Sequence, residues 1–317
     1  MAHDLIRLSS DRGEAWIAPT GGRLVRYRSR LDGDDDTWLS WIDADQTPDS
    51  SFPMVPFVSR IRNAQFRFEG QLITLRANNP PEPHAIHGHG FQRRWQVAHD
   101  GAHGAAHGAA QGAAQDASSV TLRLDHAAGL DGWPWHYRAD QYLSLRPCGS
   151  LHLRLTLTNR SSRSMPFGLG YHPYFLAVED LILQTQVSHL WQMDDEVLPQ
   201  GVGEVPESMP LERGFRMGGN DIDTVFSGWS GAVLLKQPSA GYALNVRANT
   251  SHLVLYTSAE GHFVCAEPVT HVTDAFNMQW QEGGEIPAID PGARVLAPAA
   301  SVSLEISFEP VKAVSTA

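Results

Sequence analysis

Leu151-His152-Leu153-Arg154-Leu155-Thr156-Leu157-Thr158 alternates apolar and polar residues without a break. Side chains on an extended strand point by turns to opposite faces, so the stretch reads as a strand with one buried face and one wet face. The same beat recurs upstream in Ser119-Val120-Thr121-Leu122-Arg123-Leu124. It recurs downstream in Tyr242-Ala243-Leu244-Asn245-Val246 and in Val302-Ser303-Leu304-Glu305-Ile306-Ser307-Phe308. Further β-rich runs are Trp135 to Leu145, Gly231 to Leu235 and His252 to Thr257, and turn residues punctuate the chain at Asp32-Gly33-Asp34, Asn78-Asn79-Pro80-Pro81, Asp131-Gly132 and Gly283-Gly284. No long segment carries helical periodicity. Strands throughout, without alternating helices, imply an all-β chain folded as an antiparallel sandwich or barrel.

The 317 residues allow one large domain or two ordinary ones; nothing marks a boundary, so a single domain over 1–317 is expected. With 28 Gly and 20 Pro the composition suits a fold of many turns. The net charge of −11 argues against nucleic acid and against an anionic membrane surface, both of which reward the opposite sign. The N-terminal Met1-Ala2-His3-Asp4-Leu5 shows no basic stretch leading into an apolar run, and no stretch is apolar for long enough to span a bilayer. Cys148 and Cys265 do not make a disulfide framework, which makes a reducing cytoplasm the expected location. Cys265, in Phe263-Val264-Cys265, reads as a small core residue. The low-complexity stretch at about 101–117 reads as an expanded hairpin loop between strands near Trp95-Gln96-Val97 and Val120. Its His103 and His107 would share a helical face, but the Ala/Gly/His/Gln repeat reads as padding.

Five places carry residues suited to chemistry. Arg60, in Phe57-Val58-Ser59-Arg60-Ile61-Arg62-Asn63, sits among apolar residues and needs an acceptor; its planar fork suits hydroxyls and carboxylates, and spacing alone favours a structural ion pair. His84-Ala85-Ile86-His87-Gly88-His89-Gly90-Phe91 suggests a metal, since His87 and His89 would share one face of a strand. Gly88 and Gly90 weaken the strand and allow close approach of a ligand, so a sugar-binding imidazole is an equal account. His172, in Phe167-Gly168-Leu169-Gly170-Tyr171-His172-Pro173-Tyr174-Phe175, is framed by glycines, aromatics and a proline, a rigid platform for proton transfer or for a buried structural histidine. Asp223, in Asn220-Asp221-Ile222-Asp223-Thr224-Val225-Phe226, can accept from two hydroxyls or close a turn. Glu267 ends the apolar strand Phe263-Val264-Cys265-Ala266-Glu267. A carboxylate there is costly to bury unless it is paired or functional, and desolvation would make it a stronger base.

In order along the chain, these segments resemble the aldose 1-epimerase (galactose mutarotase) family. Ser59-Arg60-Ile61 is similar to the family's Asn-Arg-Ile/Val, Ile86-His87-Gly88 to its Leu-His-Gly with a following tryptophan at Trp95, and Gly170-Tyr171-His172-Pro173-Tyr174-Phe175 to its His-Pro-Tyr-Phe segment. Ile222-Asp223 and Glu267, with Asn277 downstream, complete the set, and Glu-Pro-Val-Thr-His resembles a bacterial subgroup. Ser59 departs from the usual asparagine and His89 from the second glycine of His-Gly-Gly, which leaves substrate identity and any role of His89 open. The resemblance implies a large antiparallel β-sandwich, the galactose mutarotase-like supersandwich, with an open cleft on one sheet. It implies an isomerase that interconverts the α and β anomers of an aldose, with Glu267 as base, His172 as acid, and Arg60, His87 and Asp223 binding substrate. It implies a small sugar as partner, a monomer or homodimer, and neither metal nor cofactor, because opening a hemiacetal needs one proton removed at O1 and one delivered to the ring oxygen. Asp223 or Glu267 is expected to raise the pKa of His172 and so keep the acid charged. The alternatives are a sugar-phosphate mutarotase using Arg62, Arg93 and Arg94, a non-catalytic carbohydrate-binding protein of the same fold, a glycoside hydrolase with two carboxyls, and a metal-dependent cupin barrel around His87 and His89.

Overall fold

The strand Leu151–Asn159 buries Leu151, Leu153, Leu155 and Leu157 and leaves the intervening side chains half-exposed, as its alternation predicts. Each fully buried leucine contributes roughly 1.5–3 kcal/mol of hydrophobic stabilisation. The structure is a computed structural model that describes residues 4–31, 34–98, 117–177, 180–257, 261–280 and 288–312. The predicted turns at Asp32-Gly33 and Gly283-Gly284, and nearly all of the 101–117 stretch, lie outside the described residues. The strands flanking that stretch, Gln96–Val97 and Ser119–His126, pair antiparallel.

Two large antiparallel sheets dominate the described residues. The larger has Leu151–Asn159 near its centre, hydrogen-bonded on one side to Tyr137–Leu145 and on the other to Ser301–Lys312, which in turn pairs with Tyr242–Ala248. The second runs through His189–Met193, Ile222–Ser227, His252–Thr257, Phe263–Val269, Gly170–His172 and Phe52–Met54. A four-stranded sheet over residues 6–43 packs beside them. Phe308 joins the layers: its ring lies 5.7 Å from Phe175 and 6.4 Å from Tyr171 of the second sheet, and 6.3 Å from Tyr27 of the four-stranded one. One continuous apolar cluster therefore fills the space between sheets, and the opposite face of the second sheet is left for a site. The one described α-helix, Ala275–Trp280, is too short to have shown a 3.6-residue period.

Several histidines belong to the frame. The Nδ1–H of His271 donates to the Val272 carbonyl, and its Nε2 accepts the Val58 N–H at 3.2 Å, a pattern open only to the neutral ring. Burial lowers the pKa of His271, His126 and His252 from 6.5 to about 4 each. Between pH 6.5 and 4 the unfolded chain therefore binds more protons than the folded one, so stability rises with pH in this window. Urea unfolding at pH 7 and pH 4.5 is expected to show a marked loss at the lower pH, of up to about 1.4 kcal/mol per pH unit for each such histidine. A flat profile would remove this account.

Candidate active site

Strand register assembles the floor of the site. Gly170 pairs with Val269, and Phe175 with Val264, two separate pairings in the same antiparallel register. That register sets His172 opposite Glu267 and Tyr174 opposite Cys265. His172 pairs on its other side with Phe52, Glu267 with Val254, and Cys265 with Tyr256, which pairs in turn with Asp223. Directly opposed side chains share one face of a sheet, so all of these look outward while Tyr171 and Phe175, on either side of His172-Pro173-Tyr174, look into the core. The result is a direct contact: His172 Nε2 lies 3.3 Å from Glu267 Oε1, with both residues almost wholly buried. Phe52 and Tyr174 flank the imidazole, each ring centre 4.7 Å away, the tyrosine stacked and the phenylalanine tilted, and so fix its plane.

Loops complete the walls. Ser59-Arg60 and Ile86-His87 lie side by side, with Arg60 paired to Ile86 and the His87 N–H donated to the Ser59 carbonyl. Ser59 and His87 both hold left-handed backbone conformations, φ 48° and 56°, of the kind that concentrates at functional sites. Next to them Gly88 lies so close to the Val55 carbonyl that a Cβ would come within 2.0 Å of its oxygen. The same oxygen accepts the N–H groups of His89 and Gly90. Asn78 braces the loop by accepting the Ile86 N–H and donating to the Ile86 and Gly88 carbonyls. From the other side Asp274 donates its N–H to the Arg60 carbonyl and accepts the Arg62 N–H, while Asn277 donates to the Asp274 carboxylate.

His172, Glu267, Arg60, His87 and Asp223, the five residues singled out in the sequence, line a single cavity of about 320 Å³. That falls in the range of roughly 300–1,000 Å³ usual for small-molecule sites. The ring of His87 stands 5.3 Å from that of His172, edge to face. His87 Nδ1 and Glu267 Oε2 are buried and have no hydrogen-bond partner among the described residues, which leaves two polar groups of the lining unsatisfied. Asp49, Phe52, Glu82, Tyr174 and Tyr256 also line the cavity and were not singled out in the sequence. Glu82 ends the Asn78-Asn79-Pro80-Pro81 turn that the sequence does show; a turn locates a loop but not the direction of the side chain that follows it.

The three clustered histidines separate. His87 faces the cavity. His84 accepts the Asn63 N–H, and His89 is buried against His126 and Tyr137, 4.4 Å and 6.3 Å between ring centres. The shared face expected for His87 and His89 requires a regular strand, and the left-handed turn at His87-Gly88 breaks it. A different trio, His172, Cys265 and Glu267, brings its donor atoms within 4.8 Å of one another, close enough to hold a metal ion in principle. Burial raises the pKa of the Cys265 thiol well above its usual value, so the thiol is protonated in the metal-free protein.

Charge in the pair departs from expectation. Burial, opposed only weakly by Asp49, lowers His172 to about 3, so its neighbours do not hold it charged. Burial raises Glu267 well above the carboxylate range; Asp223 adds to the rise and Arg60 opposes it. Both directions favour the neutral pair, one proton shared with its rest position on the carboxyl. Asp223 is also raised, by burial first. The cations considered for a phosphate are occupied elsewhere: Arg93 pairs with Asp131, Arg94 with Asp4, and Arg62 with Asp194 and Asp274.

A buried imidazole–carboxyl pair thus lies at the bottom of a polar cleft on one sheet face of an antiparallel β-sandwich. The chain matches the aldose 1-epimerase family over residues 4–297 and belongs to that family. The uncharacterized protein YphB of Escherichia coli K12 is 28% identical over 260 residues, 78% of this chain and 81% of that one. A galactose mutarotase-like protein from Clostridium acetobutylicum superposes with a TM-score of 0.79 at 18% identity, covering 97% of this chain and 95% of that one. Galactose 1-epimerase from Lactobacillus acidophilus NCFM gives 0.70 at 16%, covering 98% and 95%. The fold is thus mostly β, antiparallel and galactose mutarotase-like, as the resemblance implies.

Gly88→Ala is expected to move the Val55 or His87 backbone, since the added methyl has no room and the residue's φ of 71° disfavours any side chain. A loss of several degrees in Tm by calorimetry is the expected outcome, and an unchanged Tm would contradict it.

Proposed function

We propose that the protein is an aldose 1-epimerase that interconverts sugar anomers by opening and closing the hemiacetal ring. The observation that carries the reading is the 3.3 Å contact of His172 and Glu267 at the floor of the cleft, with the second carboxyl oxygen buried and unbonded among the described residues. Moving the shared proton across that contact gives imidazolium and carboxylate, a form that Arg60 favours by lowering the pKa of Glu267. The Glu267 carboxylate then takes the proton of the C1 hydroxyl while His172 delivers one to the ring oxygen. The aldehyde rotates about C1–C2, and closure on its other face runs the two transfers backwards. The pair ends with the single proton it began with, so the cycle requires no net consumption of acid or base. His87 and Asp223 supply partners for the remaining hydroxyls, and Phe52, Tyr174 and Tyr256 offer apolar faces to the ring carbons.

Each positioned acid or base supplies roughly 10²–10⁴-fold. Glu267→Gln and His172→Asn are each expected to lower polarimetric mutarotation of a responsive aldose by at least about 10²-fold, with Tm shifted by only a few degrees. Near-wild-type rates in either variant would sink the assignment. Sugar binding without any acceleration of anomer exchange by the unaltered protein would instead indicate a non-catalytic carbohydrate-binding protein.

A further inference from the structure

The described residues lining the cleft include four carboxyl groups: Asp49, which is paired with Arg23, Glu267, which burial keeps protonated, and Glu82 and Asp223, which both approach the guanidinium of Arg60. An arginine fork grips a carboxylate or phosphate best through two parallel N–H groups. Here that edge is taken: Arg60 Nε and Nη2 donate to the two oxygens of Glu82 at 2.9 and 3.3 Å. The remaining Nη1 looks toward Asp223, 3.8 Å away. Glu82 is also held in place. Its N–H donates to the Asn79 carbonyl across the Pro80-Pro81 turn, where two prolines restrict the backbone, and the Asn79 side chain donates to Glu82 Oε1 at 3.1 Å.

We infer that Glu82 is a specificity-determining residue that occupies the arginine fork as an internal anion and so restricts the cleft to aldoses without a carboxylate or phosphate group. The inference rests on the reading of the cleft as a sugar site. A uronic acid or sugar phosphate entering it meets the carboxylates of Glu82 and Asp223 beside a guanidinium whose Nε/Nη2 edge is already used. A neutral aldose can still accept from Nη1 and donate its hydroxyls to Glu82 and Asp223, interactions that carboxylates favour. Removing the Glu82 charge exposes the fork and deletes one repulsive group, and both changes help an anionic sugar more than a neutral one.

The test compares D-galactose with D-galacturonate, and D-glucose with D-glucuronate, in the unaltered protein, Glu82→Gln, Glu82→Ala and Glu82→Asp. Binding is read by calorimetry and anomer exchange by polarimetry. The unaltered protein is expected to favour the neutral sugar of each pair, and Glu82→Gln and Glu82→Ala to raise the uronate-to-neutral binding ratio by about tenfold, the effect of one charge-assisted contact. Glu82→Asp keeps the charge and is expected to stay within about threefold of the original ratio, which a merely structural role for Glu82 would not produce. An unchanged ratio in both neutralised variants, or a preference for uronates in the unaltered protein, overturns the inference. Failure of the mutarotase reading shows separately: anomer exchange is then absent for every sugar while the binding ratios still shift.

Discussion

Everything at the site depends on the alignment of two neighbouring strands. The pairing of Gly170 with Val269 and of Phe175 with Val264 leaves one arrangement for the residues between, with His172 facing Glu267. A slip of one residue would turn one of the two into the apolar interior, where Tyr171 or Ala266 now lies. The register is anchored from below, because Tyr171 and Phe175 must reach Phe308 in the opposing sheet. The core thus selects the alignment, and the alignment puts the imidazole and the carboxyl in contact.

The price of that contact is burial. Neither group is comfortable as an ion in such a place: desolvation drives the imidazole down to about 3 and the carboxyl up. The two penalties are opposite in sign, so they push a shared proton the same way and make the pair a single neutral unit. Arg60, Glu82 and Asp223 form a second, more exposed layer above it, linked to the first mainly through charge: Asp223 raises Glu267 while Arg60 lowers it. The rings of Phe52 and Tyr174 flank the His172 imidazole and fix its plane.

Much of the sheet structure was legible because burial has a period. The predicted strand at Leu151 runs from Leu151 to Asn159, that at Ser119 extends to His126, and that at His252 ends at Thr257 as expected. The five site residues were legible as segments through the family resemblance, and they do converge on one cavity. Contacts that depend on loop direction were not. Nothing in the letters around Glu82 announces that it grips Arg60, and His87 and His89 look equivalent until the backbone turns left-handed between strand and loop. The electrostatic expectation for His172 failed for a related reason. Neighbouring charges can be guessed from motifs, but the depth of burial that outweighs them emerges only from packing.

The strand Ser301–Lys312 lies inside the larger sheet between Leu151–Asn159 and Tyr242–Ala248, bonded to both, and its hydroxyl contact between Ser303 and Thr156 spans 147 positions of chain. During synthesis at the ribosome the two flanking strands emerge well before the piece that joins them. Until it arrives each carries an unsatisfied hydrogen-bonding edge, open to association with other nascent chains. Long-range pairings of this kind make for slow folding. The half-made sheet is therefore a stage at which the growing polypeptide exposes edges that the completed sheet does not.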